Sequence, residues 1–157
     1  MTAVSSEAGT VDLEVRRFVP APPQQVFRAW TDPAALKRWW GPAGVQCVAA
    51  EIDLQPGGRY RIANALPSGD ILWIHGVFER VDPPTLLVYS WHTGEADQSF
   101  AEDTHMPAEQ VSVRFTPSGD GTDLTIEHKR IPSETMRDDH QSGWAGCLDG
   151  LIDFLAA

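Results

Sequence analysis

The sequence has only two cysteines, Cys47 and Cys147, and neither belongs to a CxxC or mixed Cys/His motif. Structural zinc sites need several such ligands at short spacings, and disulfide-stabilised domains need more cysteines for their length. The sequence therefore predicts neither a zinc site nor a disulfide framework. Its 157 residues suffice for one hydrophobic core, so we expect a single domain over residues 1–157.

Basic residues are also scarce, since 12 Lys and Arg against 22 Asp and Glu give a net charge of −10. Such a surface repels phosphate backbones and anionic lipids, so we expect no nucleic-acid partner. No apolar run approaches the roughly 20 residues that span a bilayer, so we expect no membrane insertion. Residues 1–10 are small and polar without the features of a secretory signal. They predict a flexible N-terminal segment on a cytoplasmic protein.

The motifs of nucleotide-binding and nucleophilic enzymes are missing. There is no GxSxG, SxxK, GxxxxGK[ST] or HExxH motif and no clean GxGxxG. The five histidines show no i, i+4 pair and no HxH spacing, so the sequence predicts no metal and no cofactor. Acid–base chemistry needs only one titratable group in a shaped cavity, so these absences leave an enzymatic role open.

The sequence does have a regular succession of alternating segments and turn signals. A first strand over Val11–Val19 precedes two short helical segments, each opened by a proline, and Asp32 caps the second. Six more strands lie between turns rich in proline and glycine. They cover Val45–Leu54, Arg59–Ala65, Ile71–Val81, Leu86–His92, Val111–Thr116 and Leu124–Arg130, with a polar loop over Thr93–Ala108.

The last segment has helical periodicity. Ser133 or Thr135 can cap a helix that runs toward Ala156 and is apolar on one side. The residues on that side are Met136, His140, Trp144, Cys147, Leu148, Leu151 and Leu155. Glycines at positions 143, 146 and 150 each cost about 1 kcal/mol relative to alanine, so we expect a neighbouring backbone to approach them closely. The predicted fold class is α+β, a curved antiparallel sheet of about seven strands that grips one long C-terminal helix.

A family resemblance is carried by short motifs that recur in order along nearly the whole chain, from Val11 to Leu155. The motifs are Val26–Pro33, Trp39–Pro42, Pro56–Tyr60, His75–Phe78, Val81–Pro84 and Gly143–Trp144. Together they resemble the heat-shock-protein ATPase activator homologue family. The resemblance implies the START-like helix-grip fold of the SRPBCC superfamily, with a cavity between the sheet and the last helix. Because the related co-chaperone carries a second half that this chain lacks, the family name does not by itself imply a stress-response function.

The predicted site consists of residues expected on the inward face of the sheet or of the last helix. They are Tyr60, Ile62, Trp73, His75, Tyr89, Trp91, Val113, Phe115, His128, His140, Trp144 and Leu148. The facing of the strand Ile71–Val81 stays open, because Ile74 and Phe78 form an equally apolar alternate set. His140 and His128 are the acid–base candidates, and they can meet across the cavity.

Three functional hypotheses follow. The leading one is a binder of a small hydrophobic or amphipathic molecule or lipid, because the aromatic supply is large and few polar groups face inward. The second is an enzyme of the polyketide-cyclase type that uses His140 or His128 as its acid–base group. The third is an interaction module for a chaperone partner, as the resemblance suggests. A homodimer is also expected from the frequency of C2 symmetry among small proteins.

Overall fold

The computed structural model describes residues 10–41, 44–94 and 109–156. Seven strands form one antiparallel sheet in the order β1-β7-β6-β5-β4-β3-β2. Their bounds are β1 Val11–Val19, β2 Gln46–Ile52, β3 Arg59–Ala65, β4 Ile71–Asp82, β5 Leu86–Gly94, β6 Glu109–Ser118 and β7 Gly121–Ile131. The helices are α1 Pro23–Thr31, α2 Pro33–Trp39 and α3 Glu134–Ala156. The predicted α+β fold class and the order of its elements are confirmed.

The two short helices are delimited by the residues that the sequence indicated. Each helix begins with a proline, whose missing N–H needs no partner in the first turn. The Asp32 carboxylate accepts a hydrogen bond from the Ala34 N–H at 3.1 Å, which caps α2. The two helices contact each other and form the connection between β1 and β2.

Helix α3 is also capped as expected, and Ser133 is the residue that does it. The Met136 N–H donates to the Ser133 hydroxyl at 3.2 Å. The helix packs against β1, β7 and α2, and it buries Trp144, Cys147, Leu148 and Leu151. Full burial of a leucine side chain contributes about 1.5–3 kcal/mol, so this apolar side fixes the helix on the sheet.

Strands β6 and β7 are longer than the alternation indicated. They pair continuously from Gln110 with Lys129 to Ser118 with Gly121, so the hairpin turn contains only Gly119 and Asp120. Gly119 has a φ of 57°, a left-handed conformation that glycine adopts without strain. At its other end, β6 begins at Glu109, which lies on the same face of the strand as Val111 and Val113.

Two predictions lie largely outside the described residues. The flexible N-terminal segment was placed over residues 1–10, of which the structure describes only residue 10. The polar loop was placed over 93–108, of which residues 93 and 94 belong to β5. Within the described ranges, no helix is both long and apolar enough to cross a membrane.

Candidate functional site

Described residues form two apolar cavities on the inward face of the sheet, the inner one beside the short helices and the outer one beside helix α3. The inner one is nearly filled by its own side chains, with about 20 Å³ of free space, enough for one water molecule. Its lining residues are Trp30, Leu36, Trp40, Ile52, Tyr60, Ile62, Phe78, Leu87, Tyr89 and Trp91. This cavity is the packed interior of the core.

The tyrosine hydroxyls in the inner cavity already have partners in the protein. Tyr60 donates to the Ser90 carbonyl oxygen at 2.7 Å, and Tyr89 accepts from the indole N–H of Trp30 at 3.4 Å. Burial raises the pKa of both tyrosines well above the ordinary value, so both stay protonated. These hydroxyls therefore connect the strands and the short helix α1 within the core.

The outer cavity is larger, at about 170 Å³. It lies between β3, β4 and β5 on one side and α3 on the other, and Trp40 and Trp91 separate it from the inner cavity. Its lining residues are Trp40, Val45, Asn64, Leu66, Leu72, Ile74, Trp91, Thr93, Asp139, His140, Gly143, Trp144 and Cys147. An apolar cavity of about 150 Å³ can hold a benzene-sized molecule, so this one has room for a small ligand.

Two buried polar atoms on the wall of the outer cavity lack a partner among the described residues. They are the Asn64 side-chain oxygen and the Trp91 indole nitrogen, on residues that are 2% and 7% exposed. The Asn64 amide nitrogen donates to the Leu72 carbonyl oxygen at 3.3 Å, which fixes the orientation of the amide and leaves Oδ1 as a free acceptor. The Trp91 N–H is an unpaired donor in the same sense, so two residues that line the cavity carry one unpaired polar atom of each kind.

A polar cluster of Glu109, His128, His140 and Trp144 adjoins the outer cavity. One oxygen of Glu109, Oε1, lies 2.8 Å from His128 Nε2 and 3.1 Å from His140 Nε2. The two imidazole rings stack with their centroids 4.5 Å apart. Trp144 donates its indole N–H to His128 Nδ1 at 3.1 Å. His128 is fully buried, whereas the His140 side chain is 17% exposed.

The hydrogen bonds assign the proton positions on His128. An indole nitrogen only donates, so His128 Nδ1 has to be the unprotonated acceptor. The proton of the neutral ring is therefore on Nε2, which donates to the Glu109 carboxylate. Burial lowers the pKa of His128, with a smaller contribution from the nearby His140, and these outweigh the opposing effect of Glu109. His128 is consequently a neutral donor at pH 7.

Glu109 is the carboxylate on which the cluster converges, and its side chain is 13% exposed. Burial disfavours its charged form, but the hydrogen bonds from His128 and His140 and the proximity of both rings outweigh this effect. The net result is a lowered pKa, so Glu109 is ionised at neutral pH. A neutral histidine thus holds an ionised carboxylate against a second histidine that reaches the cavity.

This cluster does not fit a metal site. The potential ligand atoms of Glu109, His128 and His140 lie within 4.8 Å of one another, as the ligands of an ion would. A metal on His128 Nε2 would move the ring proton to Nδ1, where it would face the indole N–H of Trp144. A metal-bound histidine normally donates its other N–H to an acceptor, and Trp144 offers none. The groups of the cluster are therefore arranged to hydrogen-bond to one another through their protons rather than to bind a metal ion.

The two predicted site residues on β4 do not line either cavity. Ile74 and Phe78 face the core, and since side chains alternate along a strand, Trp73 and His75 point to the opposite face. There the Trp73 ring lies under the guanidinium of Arg61, and His75 stacks on His92. Placing Trp73 and His75 in the cavity was wrong. The only register shift with β5 comes after Phe78, too late to reverse the facing at His75.

Three more predicted residues belong to the packed core and line neither cavity. Val113, Phe115 and Leu148 are at most 1% exposed, and Phe115 packs edge-to-face against Phe27. Tyr60, Ile62 and Tyr89 line the inner cavity, Trp91 lines both cavities, and His140 and Trp144 line the outer one. The expected meeting of His128 and His140 occurs, and it forms the polar cluster.

Among the site residues that were not predicted from the sequence, Asn64 and Glu109 each had a signal in the alternation of their strand. Asn64 follows Tyr60 and Ile62 on the inward face of β3, and a polar residue in such a series is unusual. Glu109 precedes Val111 and Val113 on the inward face of β6, but the strand was predicted to begin at Val111.

The cluster predicts that the protein loses stability as the pH falls below neutrality. The unfolded chain protonates His128 below about pH 6.5, while the folded protein resists because the pKa is lowered there. Stability is therefore complete above pH 6.5 and declines below it, by up to about 1.4 kcal/mol per pH unit for one proton. Glu109 has the same sign, and its contribution is lost below about pH 4.5.

Urea unfolding between pH 8 and pH 4 measures this dependence. We expect His128→Gln to flatten the decline between pH 6.5 and pH 5, because the variant has no imidazole at that position to titrate. His92→Gln is the matched control on the outer face of the sheet, and it should retain the wild-type profile. If stability declined with pH in His128→Gln as it does in the wild type, His128 would not be the cause, and this would contradict its lowered pKa.

Known proteins were compared with this chain. The family model described as Activator of Hsp90 ATPase homolog 1-like protein matches residues 20–156. No protein with a curated description matches. The AHSA1 protein from Silicibacter pomeroyi is 25% identical with a TM-score of 0.79, covering 93% of this chain and 98% of that one. CalU16 from Micromonospora echinospora is 30% identical with a TM-score of 0.65, covering 91% of this chain and 74% of that one.

A protein from Nitrosomonas europaea shares the fold at 23% identity, with a TM-score of 0.78 over 95% of this chain and 96% of that one. The strand order, the two short helices α1 and α2 and the long C-terminal helix α3 all agree with the predicted helix-grip architecture. The chain therefore belongs to the Activator of Hsp90 ATPase homolog 1-like family, within the START-like superfamily.

Proposed function

We propose that this protein binds a small amphipathic molecule in the outer cavity. The observation that carries the proposal is a pair of buried polar atoms without partners among the described residues, Asn64 Oδ1 and Trp91 Nε1, on two residues that line one apolar cavity. A buried polar atom without a hydrogen bond costs about 1–3 kcal/mol. A ligand that supplies a donor to Asn64 and an acceptor to Trp91 would recover this cost.

The shape of the cavity defines the ligand class further. Its walls are mostly aromatic and aliphatic, and the rings of Trp40 and Trp91 both contact that of Trp144, at interplanar angles of 85° and 47°. Aromatic walls around so small a volume favour a compact molecule of one or two rings over a flexible acyl chain. The Cys147 thiol lies on the same wall, and burial raises its pKa to about 12, so it contributes an apolar surface and no nucleophile.

Gly143 is the position at which the cavity can be closed without disturbing the fold. A Cβ atom built there meets nothing within 4 Å, and the residue lines the outer cavity. Gly143→Leu should therefore fill the space in which the ligand lies, and Gly143→Ala should shrink it slightly. The same position thus gives both a variant that fills the cavity, Gly143→Leu, and a milder control, Gly143→Ala.

We expect hydroxyindanones, which carry a donor and an acceptor on two fused rings, to bind more tightly than indane, which carries neither. Asn64→Leu should weaken binding of the hydroxyindanones at least tenfold and leave indane unchanged, because it removes the acceptor that the hydroxyl group would meet and indane has no hydroxyl group. Gly143→Leu should abolish binding of both. Quenching of tryptophan fluorescence, with melting curves to verify folding, measures these affinities.

Native mass spectrometry of the purified protein, before and after organic extraction, tests for a molecule that copurifies. A discrete mass that is absent from Gly143→Leu would support the proposal and identify the ligand. Wild-type and Gly143→Leu proteins with equal affinities would show that the outer cavity is not the binding site. Failure of the wild type to bind any member of the panel would overturn the proposal.

The other predictions on partners and location concern the molecule as a whole. A homodimer, a chaperone partner and a cytoplasmic location stay predictions from the sequence. None of the contacts that define the outer cavity requires them.

A further inference from the structure

We propose that His140 is a general base that moves a proton on the molecule bound in the outer cavity, at a carbon beside a carbonyl group. The inference rests on the proposed function, since it needs a ligand in that cavity. It comes from three features that converge at one end of the cavity: His140 backed by Glu109, a second histidine that holds Glu109 in place, and the free N–H of Trp91.

The first feature is the orientation of the His140 ring. Its Nε2 faces Glu109 Oε1 at 3.1 Å, and an ionised carboxylate only accepts, so Nε2 carries the proton of the neutral ring. Nδ1 is then left with its lone pair, without a hydrogen-bond partner among the described residues. Because the ring lines the outer cavity, Nδ1 is the nitrogen that a bound molecule can meet. A histidine backed by a carboxylate is the usual arrangement of a general base.

The second feature is the fixed state of the neighbouring His128. Trp144 and Glu109 occupy its two ring nitrogens, and it stacks on His140 with an interplanar angle of 13°. When His140 gains a proton, the new charge faces a carboxylate on β6 and a neutral ring on β7. Asp139, the residue before His140 on α3, also lines the cavity and contributes a second carboxylate to this end of it.

The third feature is a donor for the oxygen on which negative charge would develop. The Trp91 ring lies 5.9 Å from the His140 ring, centroid to centroid, and its N–H has no partner among the described residues. A preorganised donor in a dry site stabilises an enolate oxygen more than the neutral carbonyl oxygen. The base on α3 and the donor on β5 thus belong to residues that line the same cavity from opposite sides.

The step balances with these groups alone. His140 Nδ1 takes a proton from the α-carbon, the C–H electron pair forms a carbon–carbon double bond, and the carbonyl π pair moves to the oxygen. The enolate oxygen accepts the Trp91 N–H while the imidazolium stays hydrogen-bonded to Glu109. Return of the proton to the same carbon gives exchange, and its return to a conjugated carbon gives an isomer. No oxidant, reductant or second substrate is needed.

The test follows α-proton exchange of 2-indanone in D2O by proton NMR, with binding measured in the same sample by tryptophan fluorescence. We expect the wild type to accelerate exchange above the buffer rate and His140→Gln to lose at least tenfold of that rate, since a positioned base contributes about 10²–10⁴-fold. Trp91→Phe should reduce the rate while the ring is retained. His92→Gln, on the outer face, should exchange as the wild type does.

Glu109 is a positioning residue in this scheme, and comparing the exchange rate with the affinity separates that role from a structural one. Glu109→Gln should lower the exchange rate while the affinity for 2-indanone is retained, because the carboxylate that orients the His140 ring is gone. Binding of 2-indanone without exchange that depends on His140 would overturn this inference and leave the proposed function intact. Absence of both binding and exchange would overturn the two together.

Discussion

Replacing His128 with leucine is expected to lower the free energy of unfolding by about 2–4 kcal/mol, although leucine fits the volume and the apolar surroundings. The side chain is 0% exposed and makes two hydrogen bonds that a leucine cannot make. The substitution leaves the Trp144 N–H buried without an acceptor. It also removes one of the two donors that hold the charged Glu109. Urea unfolding at pH 7.5 measures the loss.

A matched control separates the effect of the cluster from that of the chemical change. His92→Leu makes the same substitution on the outer face of the sheet, where the ring stacks on His75. Its effect should stay within about 0.5 kcal/mol, as for most surface positions. Combining His128→Leu with Trp144→Phe should cost less than the sum of the two, since the second change removes the stranded donor. Simple additivity of the two substitutions would contradict the assigned hydrogen bond.

Two glycines of helix α3 should respond to alanine with opposite signs. A Cβ atom at Gly143 meets nothing within 4 Å, so Gly143→Ala should gain about 1 kcal/mol from the higher helix propensity of alanine. A Cβ atom at Gly150 would lie 2.6 Å from the Trp39 carbonyl oxygen. Since backbone has to move, Gly150→Ala should lose about 1–3 kcal/mol by overpacking. The two variants should therefore differ by about 2–4 kcal/mol in urea unfolding.

Leu36 supplies a further check on the Gly150 contact. Helix α2 ends at Trp39 and is fixed by the nearly buried Leu36, so its freedom to move away from α3 is small. If Leu36→Ala loosens this helix, it should partly relieve the strain in Gly150→Ala. A stabilising effect of Gly150→Ala would show that the two helices do not approach as closely as the structure indicates.

The order of the secondary-structure elements could be predicted because local chemistry controls it. Prolines, an aspartate cap and alternating apolar residues are sufficient to delimit a strand or a short helix. Strand β3 was predicted with its observed bounds, Arg59–Ala65. The prediction of close approach at the helix glycines is confirmed for Gly150, which meets Trp39, but Gly143 lies against open space. The glycine spacing in the sequence therefore did not distinguish a glycine that meets a neighbouring backbone from one that lines a cavity.

The facing of β4 could not be predicted because both of its faces are apolar. Trp73 and Ile74 are equally acceptable in a core, and only pairing with the neighbouring strands decides between them. The register of β4 with β3 sets Ile74 opposite Ile62, which already faces inward, and this fixes the facing of the whole strand. The sequence does not show this pairing register, and for that reason Trp73 and His75 were wrongly predicted to face the cavity.

The sequence by itself determined the fold class, the family and the amphipathic side of the last helix, because each depends on patterns within a short stretch of chain. The partners in the site were decided by the tertiary structure alone. Glu109, His128, His140 and Trp144 come from three separate elements, and no spacing in the sequence relates a strand-start carboxylate to a histidine on the last helix. The curvature and register that close the sheet on α3 bring their polar atoms within hydrogen-bond distance. The same packing leaves Asn64 Oδ1 and Trp91 Nε1 without a hydrogen-bond partner in the part of the chain that the structure describes, because hydrogen bonding depends on which surfaces meet.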